Sequence, residues 1–178
     1  MKIAKLIVLI AGLAGIAGFF VPVVAVDHGT IHAELSAFQL VEGMDAIQAA
    51  AGVARGRNEL PPEAREAVVS IDENLARYRS AILGFFAPAL LLVALAVLGA
   101  FTRFGRVLGL LAMLVGLAAA AGWGLLAHAA TTDEVARTAQ KYGARAGIAV
   151  WVMIGSGALG LLGGLFALVK PEPRRRAD

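Results

Sequence analysis

Charged and apolar positions are segregated along this chain rather than interleaved. Four windows, residues 6–26, 81–101, 107–127 and 146–169, contain no Asp, Glu, Lys, Arg or His, and each is at least 21 residues long. At about 1.5 Å rise per residue such a window reaches about 31 Å, the thickness of a bilayer's hydrocarbon core. The runs lack strand-like alternation, and backbone groups in lipid must be paired within their own segment, so the pattern predicts helices rather than a barrel. The expected fold is an all-α integral membrane protein, a four-transmembrane-helix bundle. The first window is longer than the about 7–15 residues of a signal-peptide core and reads as an uncleaved anchor.

Between the windows the pattern becomes amphipathic. Leu40, Met44, Ile47 and Ala51 recur at helical spacing, and Ala64, Val68, Ile71, Leu75 and Tyr78 form a second stripe. Gly52, Gly56 and the run Arg57–Pro62 interrupt them, and Pro62 suits a first helical turn, where its missing N–H is not needed. Residues 27–80 therefore predict a helical hairpin whose second arm runs directly into the second span. In residues 128–145, Thr131 followed by Glu134 fits a capping box and Gly143 fits a helix stop, which predicts a short outer helix.

Composition turns this pattern into a statement about solvent. The chain is 59% hydrophobic and 16% charged over 178 residues, whereas a soluble domain carries about 25% charged residues and about 45–50% apolar ones. The positions of the cations give an orientation. Lys2, Lys5, Arg103, Arg106, Lys170, Arg174, Arg175 and Arg176 crowd the short pieces on one side, including the basic tail 170–178. The other side dilutes its bases over long loops, and residues 27–80 there hold nine acids against five bases. The positive-inside tendency predicts cytoplasmic termini, with 27–80 and 128–145 outside. The Ala-, Leu-, Gly- and Arg-rich usage suits a bacterial inner membrane. The net charge of +3 is thus a matter of topology, and no basic patch is interleaved with aromatics as a nucleic-acid surface requires. The chain has no cysteine, which excludes disulfides, thiolate metal sites and cysteine nucleophiles.

Three groups of residues are candidates for function. Ala112, Gly116, Ala120 and Gly124 stand four apart in the third span, and Ser156, Gly160 and Gly164 do so in the fourth. Such rows let helix backbones approach closely, either inside the bundle or against another chain. Phe19, Phe20, Phe85, Phe86, Trp123 and Trp151 all fall about 4–7 residues inside the outer ends of their spans, in one layer about 6–10 Å deep. That layer fits an interfacial belt, core packing, or a pocket for an apolar ligand. All three histidines, His28, His32 and His128, fall on the outer side, where Asp27, Glu34, Asp133 and Glu134 are near enough in sequence to complete a divalent metal site.

Other matches carry little chemistry. Gly155–Gly160 spells G-x-G-x-x-G, but it lies mid-span with no preceding strand. Ser156 has no base within any span to activate it. The charge-free spans also lack the ionisable groups that proton and ion carriers place in the membrane. The layout of four spans with a larger first outer loop is similar to that of claudin-type junction proteins. The first-loop cysteines and tryptophan motif of that family have no counterpart between 27 and 80, and no family is assigned. The expected role is non-enzymatic and free of cofactors: an assembly component that joins copies of itself, or an accessory subunit of an envelope complex, amid membrane lipids. Binding or carrying an apolar ligand in the aromatic layer is the alternative, and outer-face metal binding the third.

Overall fold

The computed structural model describes residues 3–28, 31–55, 62–102, 104–132, 138, 140–141 and 143–170, with side chains for all of these except 28, 31, 51–52, 54–55 and 62–73. The elements run α1 (Ile3–Gly18), β1 (Pro22–His28), β2 (Ile31–Ser36), α2 (Ala37–Arg55), α3 (Pro62–Phe101), α4 (Arg106–Thr132), β3 (Ala144–Ala146) and α5 (Ile148–Val169). The protein is mostly helical, and three stretches, Asn74–Phe101, Arg106–Thr132 and Ile148–Val169, are long and apolar enough to cross a membrane.

The first apolar window does not form one helix. α1 is apolar but has only 16 residues, about 24 Å of helix. It closes with Phe19 and Phe20 donating their amides three residues back, to the carbonyls of Ile16 and Ala17, and the chain then enters β1 at Pro22. Pro22 has no N–H to carry a helix on. Val23, Val24 and Val26 are β-branched, stiff at χ1, and suited to a pleated surface.

Residues 27–80, expected to form a helical hairpin, are not helical throughout either. Residues 22–28 and 31–36 form an antiparallel pair in which Val24 faces Leu35, Asp27 faces His32 and His28 faces Ile31. β3 joins the free edge of β1, Val24 facing Ala146 and Val26 facing Ala144, to give a three-stranded sheet of order β2-β1-β3. Hydrophobic pattern alone does not separate a short buried strand from the end of a span. The helical part begins at a capping box: the Ser36 amide donates to Gln39 Oε1 at 2.9 Å, and the Gln39 amide donates to Ser36 Oγ at 3.2 Å. Two of the orphan donors at the start of α2 are thereby satisfied reciprocally. α3 begins at Pro62 and runs unbroken for 40 residues, about 60 Å. The join between α2 and α3, residues 56–61, lies outside the described residues. Thr131 does not cap an outer helix; it belongs to the last turn of α4, where its hydroxyl donates to the His128 carbonyl. Glu134 lies outside the described residues. Gly143 takes φ 80°, a left-handed conformation that glycine adopts without steric cost.

α5 packs along α4 and α1, and α1 also packs along α3. α4 and α5 meet backbone to backbone. A Cβ placed on Gly116 would collide with the Leu161 amide nitrogen and stand 2.7 Å from the Gly157 carbonyl oxygen. One on Gly157 would stand 2.5 Å from the Ala120 amide nitrogen, and one on Gly164 would collide with that of Met113. Between α1 and α5 the buried Ser156 hydroxyl donates to the Ala11 carbonyl at 2.6 Å. The small-residue rows thus face each other within one chain. Gly124, at the C-terminal end of the α4 row, is the exception, with nothing within 4 Å of its Cβ position. Two buried clusters result: Val8, Ala11, Leu92, Ala96, Phe104 and Ala112 with their neighbours toward one end, and Ala37, Phe86, Ala89, Trp123, Val150 and Met153 toward the other.

Candidate functional site

The second cluster forms the floor of a cavity. Phe19 packs edge-on against Phe86 at 5.0 Å between ring centroids, and Phe86 meets Trp123 at 5.2 Å. Phe85 stands 5.6 Å from Trp123. These are the edge-to-face distances at which aromatic quadrupoles attract. The Trp123 indole N–H, on α4, donates to the Phe85 carbonyl of α3 at 3.1 Å. Pro88, inside α3, removes the amide that would bond the Gly84 carbonyl one turn back, so this indole bond joins α3 to α4 just beside the interrupted turn.

Above this floor lies a cavity of about 430 Å³, inside the usual range of small-molecule sites. One wall is α3, through Tyr78, Ala81, Ile82, Phe85 and Phe86; another is α4, through Trp123, Leu126, Ala127 and Ala130. Both sets follow the helical i, i+3, i+4, i+7 repeat, so each is a single face. Ala37, Leu40 and Met44 of α2, Val23 and Val24 of β1, Ala144–Ala146 of β3, Gln140 and Val150 complete the enclosure. α2 and the sheet are therefore its roof. Tyr78, Phe85 and Leu126 line the cavity and are also exposed, as are Ala81, Gln140 and Ala146, so the cavity is open to the exterior. An ion pair between Arg79 and Asp45, 3.3 Å, ties α2 to α3 above it.

Of the six aromatic residues singled out by depth, Phe85, Phe86 and Trp123 line the cavity; Phe19 joins them through its ring contact with Phe86, and Phe20 packs on Phe19 without lining it. Trp123 is 4% exposed, whereas Trp151 is 66% exposed and points away. Sequence depth fixes how far along a helix a residue lies but not its azimuth, and Val150, about 100° round from Trp151, is the residue that lines the cavity. Phe38 of α2 joins the cluster instead, 5.5 Å from Phe20 and 6.2 Å from Phe19. Ser36-x-x-Gln39 was the sequence signal that a helix, and hence Phe38, starts there.

The histidines do not assemble in this way. His32 and His28 stand on paired strands rather than on one helix, and among the described residues no group of three or more His, Cys, Asp or Glu is placed to hold a metal. His32 Nδ1 lies 2.9 Å from Asp27 Oδ1, and Asp27 Oδ2 accepts from Arg145. His128 is exposed near the end of α4, its carbonyl taken by the Thr131 and Thr132 hydroxyls. The side chain of His28, with Asp133 and Glu134, lies outside the described residues. Of the small-residue rows, Ala112, Gly116, Ser156, Gly160 and Gly164 are buried inside the bundle, while Ala120 and Gly124 are half-buried.

No protein-family model matches this chain, and no curated protein and no solved structure matches it either.

Proposed function

We propose that this is a four-span membrane protein, its termini on the cytoplasmic side of a bacterial inner membrane, that binds an apolar ligand in the cavity beneath its outer roof. The cavity carries the reading: about 430 Å³, walled almost wholly by apolar side chains and open to the exterior beside Tyr78, Phe85 and Leu126. The fourth span is α1. Its inward face is small, through Ala4, Val8, Ala11, Gly12 and Gly15, and its outward face is Leu6, Ile10 and Leu13, all exposed. Large apolar residues facing outward fit hydrocarbon. Lys5, in the first turn of α1, is long enough to bring its ammonium to the headgroup level.

Binding fits the lining better than catalysis does. Its polar members among the described residues are Tyr78, Gln140 and Arg145, and no nucleophile stands beside a base. Assembly with other chains, expected from the small-residue rows, has less to stand on, because α4 and α5 use most of those rows on each other.

The test is native mass spectrometry of the protein released from nanodiscs, alongside Ala127→Phe, which places a ring in the cavity. The wild type should carry one apolar ligand per chain, and the variant none at equal stability. A wild type with no ligand, or equal loading of both proteins, would overturn the reading.

A further inference from the structure

α2 starts well inside the depth of an apolar window rather than at its end. The Phe19 ring stands 5.0 Å from that of Phe86 and 6.2 Å from that of Phe38, and the Phe38 amide donates to the Phe19 carbonyl at 3.1 Å. Ala37, 1% exposed, is buried in one cluster with Phe86 and Ala89. Phe86 and Ala89 lie five and eight residues inside the charge-free window 81–101, about 8 and 12 Å along α3. Two turns after Phe38, Asp45 pairs with Arg79, which lies outside that window. α2 therefore climbs along α3 in the opposite direction, from the depth of Phe86 to the level of Arg79. Its first charges, Glu42 and Asp45, come on the way out, and residues 35–41 carry none.

Two rings at that depth face outward. Leu6, Ile10, Leu13, Ala17 and Phe20 recur at alternating spacings of four and three, and all are exposed, so Phe20 continues the outward row of α1. The Phe38 ring lies 5.5 Å from that of Phe20 and is exposed as well. Continuity with the α1 row indicates what covers this surface. α1 alone is about 24 Å long, about 6 Å short of a hydrocarbon core of about 30 Å, and Phe20 and Phe38 carry its outward face on past Gly18. Irregular backbone is tolerated at such depth only where it is buried and its polar groups are paired. Ser36 and Ala37 are both buried, the Ser36 and Gln39 amides bond each other's side chains, and the Val23 carbonyl accepts from the Gly147 amide. Resting on the four-span reading above and not on the ligand, we propose that the base of the β1–β2 hairpin and the first turn of α2 re-enter the outer leaflet, with Phe20 and Phe38 against its acyl chains.

The chain has no cysteine, so single cysteines can carry a nitroxide label in the full-length protein, at one chain per nanodisc of phosphatidylcholine and phosphatidylglycerol. Leu13→Cys, Phe20→Cys, Phe38→Cys and Val53→Cys all replace exposed side chains, and positions 20 and 38 report the same surface, so either suffices should one substitution unfold the protein. Power saturation of the label compares its collisions with dissolved oxygen, which concentrates in hydrocarbon, and with a polar nickel chelate, which stays in water. Oxygen should dominate at 13, 20 and 38. The order should reverse at 53, fifteen residues and about 22 Å along α2 from Phe38. If the chelate dominates at 20 and 38 while oxygen dominates at 13, the start of α2 stands in water and the proposal falls with α1 still a span. If neither reagent reaches 20 and 38, protein rather than lipid covers them, and the proposal falls as well. Oxygen dominant at 53 would mean that α2 does not climb out, which overturns the depth assignment. If the chelate dominates at 13 too, the four-span reading fails with it.

Discussion

Gly116→Ala and Gly124→Ala add the same methyl group to the same row of α4, two turns apart, and the structure assigns them opposite outcomes. At Gly116 the methyl would meet three backbone atoms of α5: the Leu161 nitrogen, the Gly157 oxygen at 2.7 Å and the Gly160 carbonyl carbon at 2.7 Å. Backbone within a helix has no rotamer to give, so α4 and α5 must separate, and the contacts of Gly109, Ala112 and Gly164 loosen with them. One surplus methyl in a packed core costs about 1–3 kcal/mol, and more where the neighbours are rigid. For Gly116→Ala we expect about 2–4 kcal/mol, or a fall of about 5–15 °C in the midpoint of thermal unfolding for a chain of this size. At Gly124 nothing lies within 4 Å, and alanine is the better helix former, so its midpoint should hold or rise. The assay is the temperature at which the monodisperse peak is lost on size-exclusion chromatography in mild detergent. Because the contacts lie within one chain, the loss at Gly116 should not depend on protein concentration. A Gly116→Ala midpoint within 3 °C of wild type, or a Gly124→Ala loss as large as that of Gly116→Ala, would refute the argument. The second result would mean that the row serves another chain.

Ser156→Ala removes the buried hydroxyl that bonds the Ala11 carbonyl, and membrane-embedded bonds of this kind average about 0.6 kcal/mol, so a loss of about 2 °C is expected by the same assay. Ser36→Ala removes one half of the capping box, at a cost of about 1 kcal/mol. Hydrogen exchange should then accelerate at Gln39, whose amide loses its acceptor, while α3 stays protected. Trp123→Phe keeps the aromatic floor but leaves the Phe85 carbonyl without the indole donor; it should cost about 1 kcal/mol and loosen α3 from α4, read as faster exchange near Phe85.

The sequence made the three long helices legible because charge is excluded wherever hydrocarbon is the solvent, and α3 was legible as one rod because nothing between Ser70 and Ala81 breaks it. The sheet was not legible. Val23–Val26 is apolar enough to read as the end of a span, and its partner β3 is three residues long and distant in the chain. A strand completed by so remote a partner leaves almost no local periodicity. The aromatic floor was read from depth along each helix, which failed for Trp151 because azimuth needs the neighbours. The pairing of Arg145 with Asp27 was invisible for a related reason: the two meet only through the sheet.

The sheet also sets an order on how the protein is made. Arg145 follows Asp27 by 118 residues, so β1 and β2 are synthesised long before β3 exists. Until residues 144–146 have been made, β1 presents an open edge of unpaired amides and carbonyls, a template for wrong partners. A chain arrested before α5 would carry that open edge and an unfinished roof. Final docking of α5, whose preceding Gly147 donates its amide to the Val23 carbonyl at 2.6 Å, brings β3 onto β1 in the same step. Closure of the roof thus waits on residues 144–147 and comes only when most of the chain has been made.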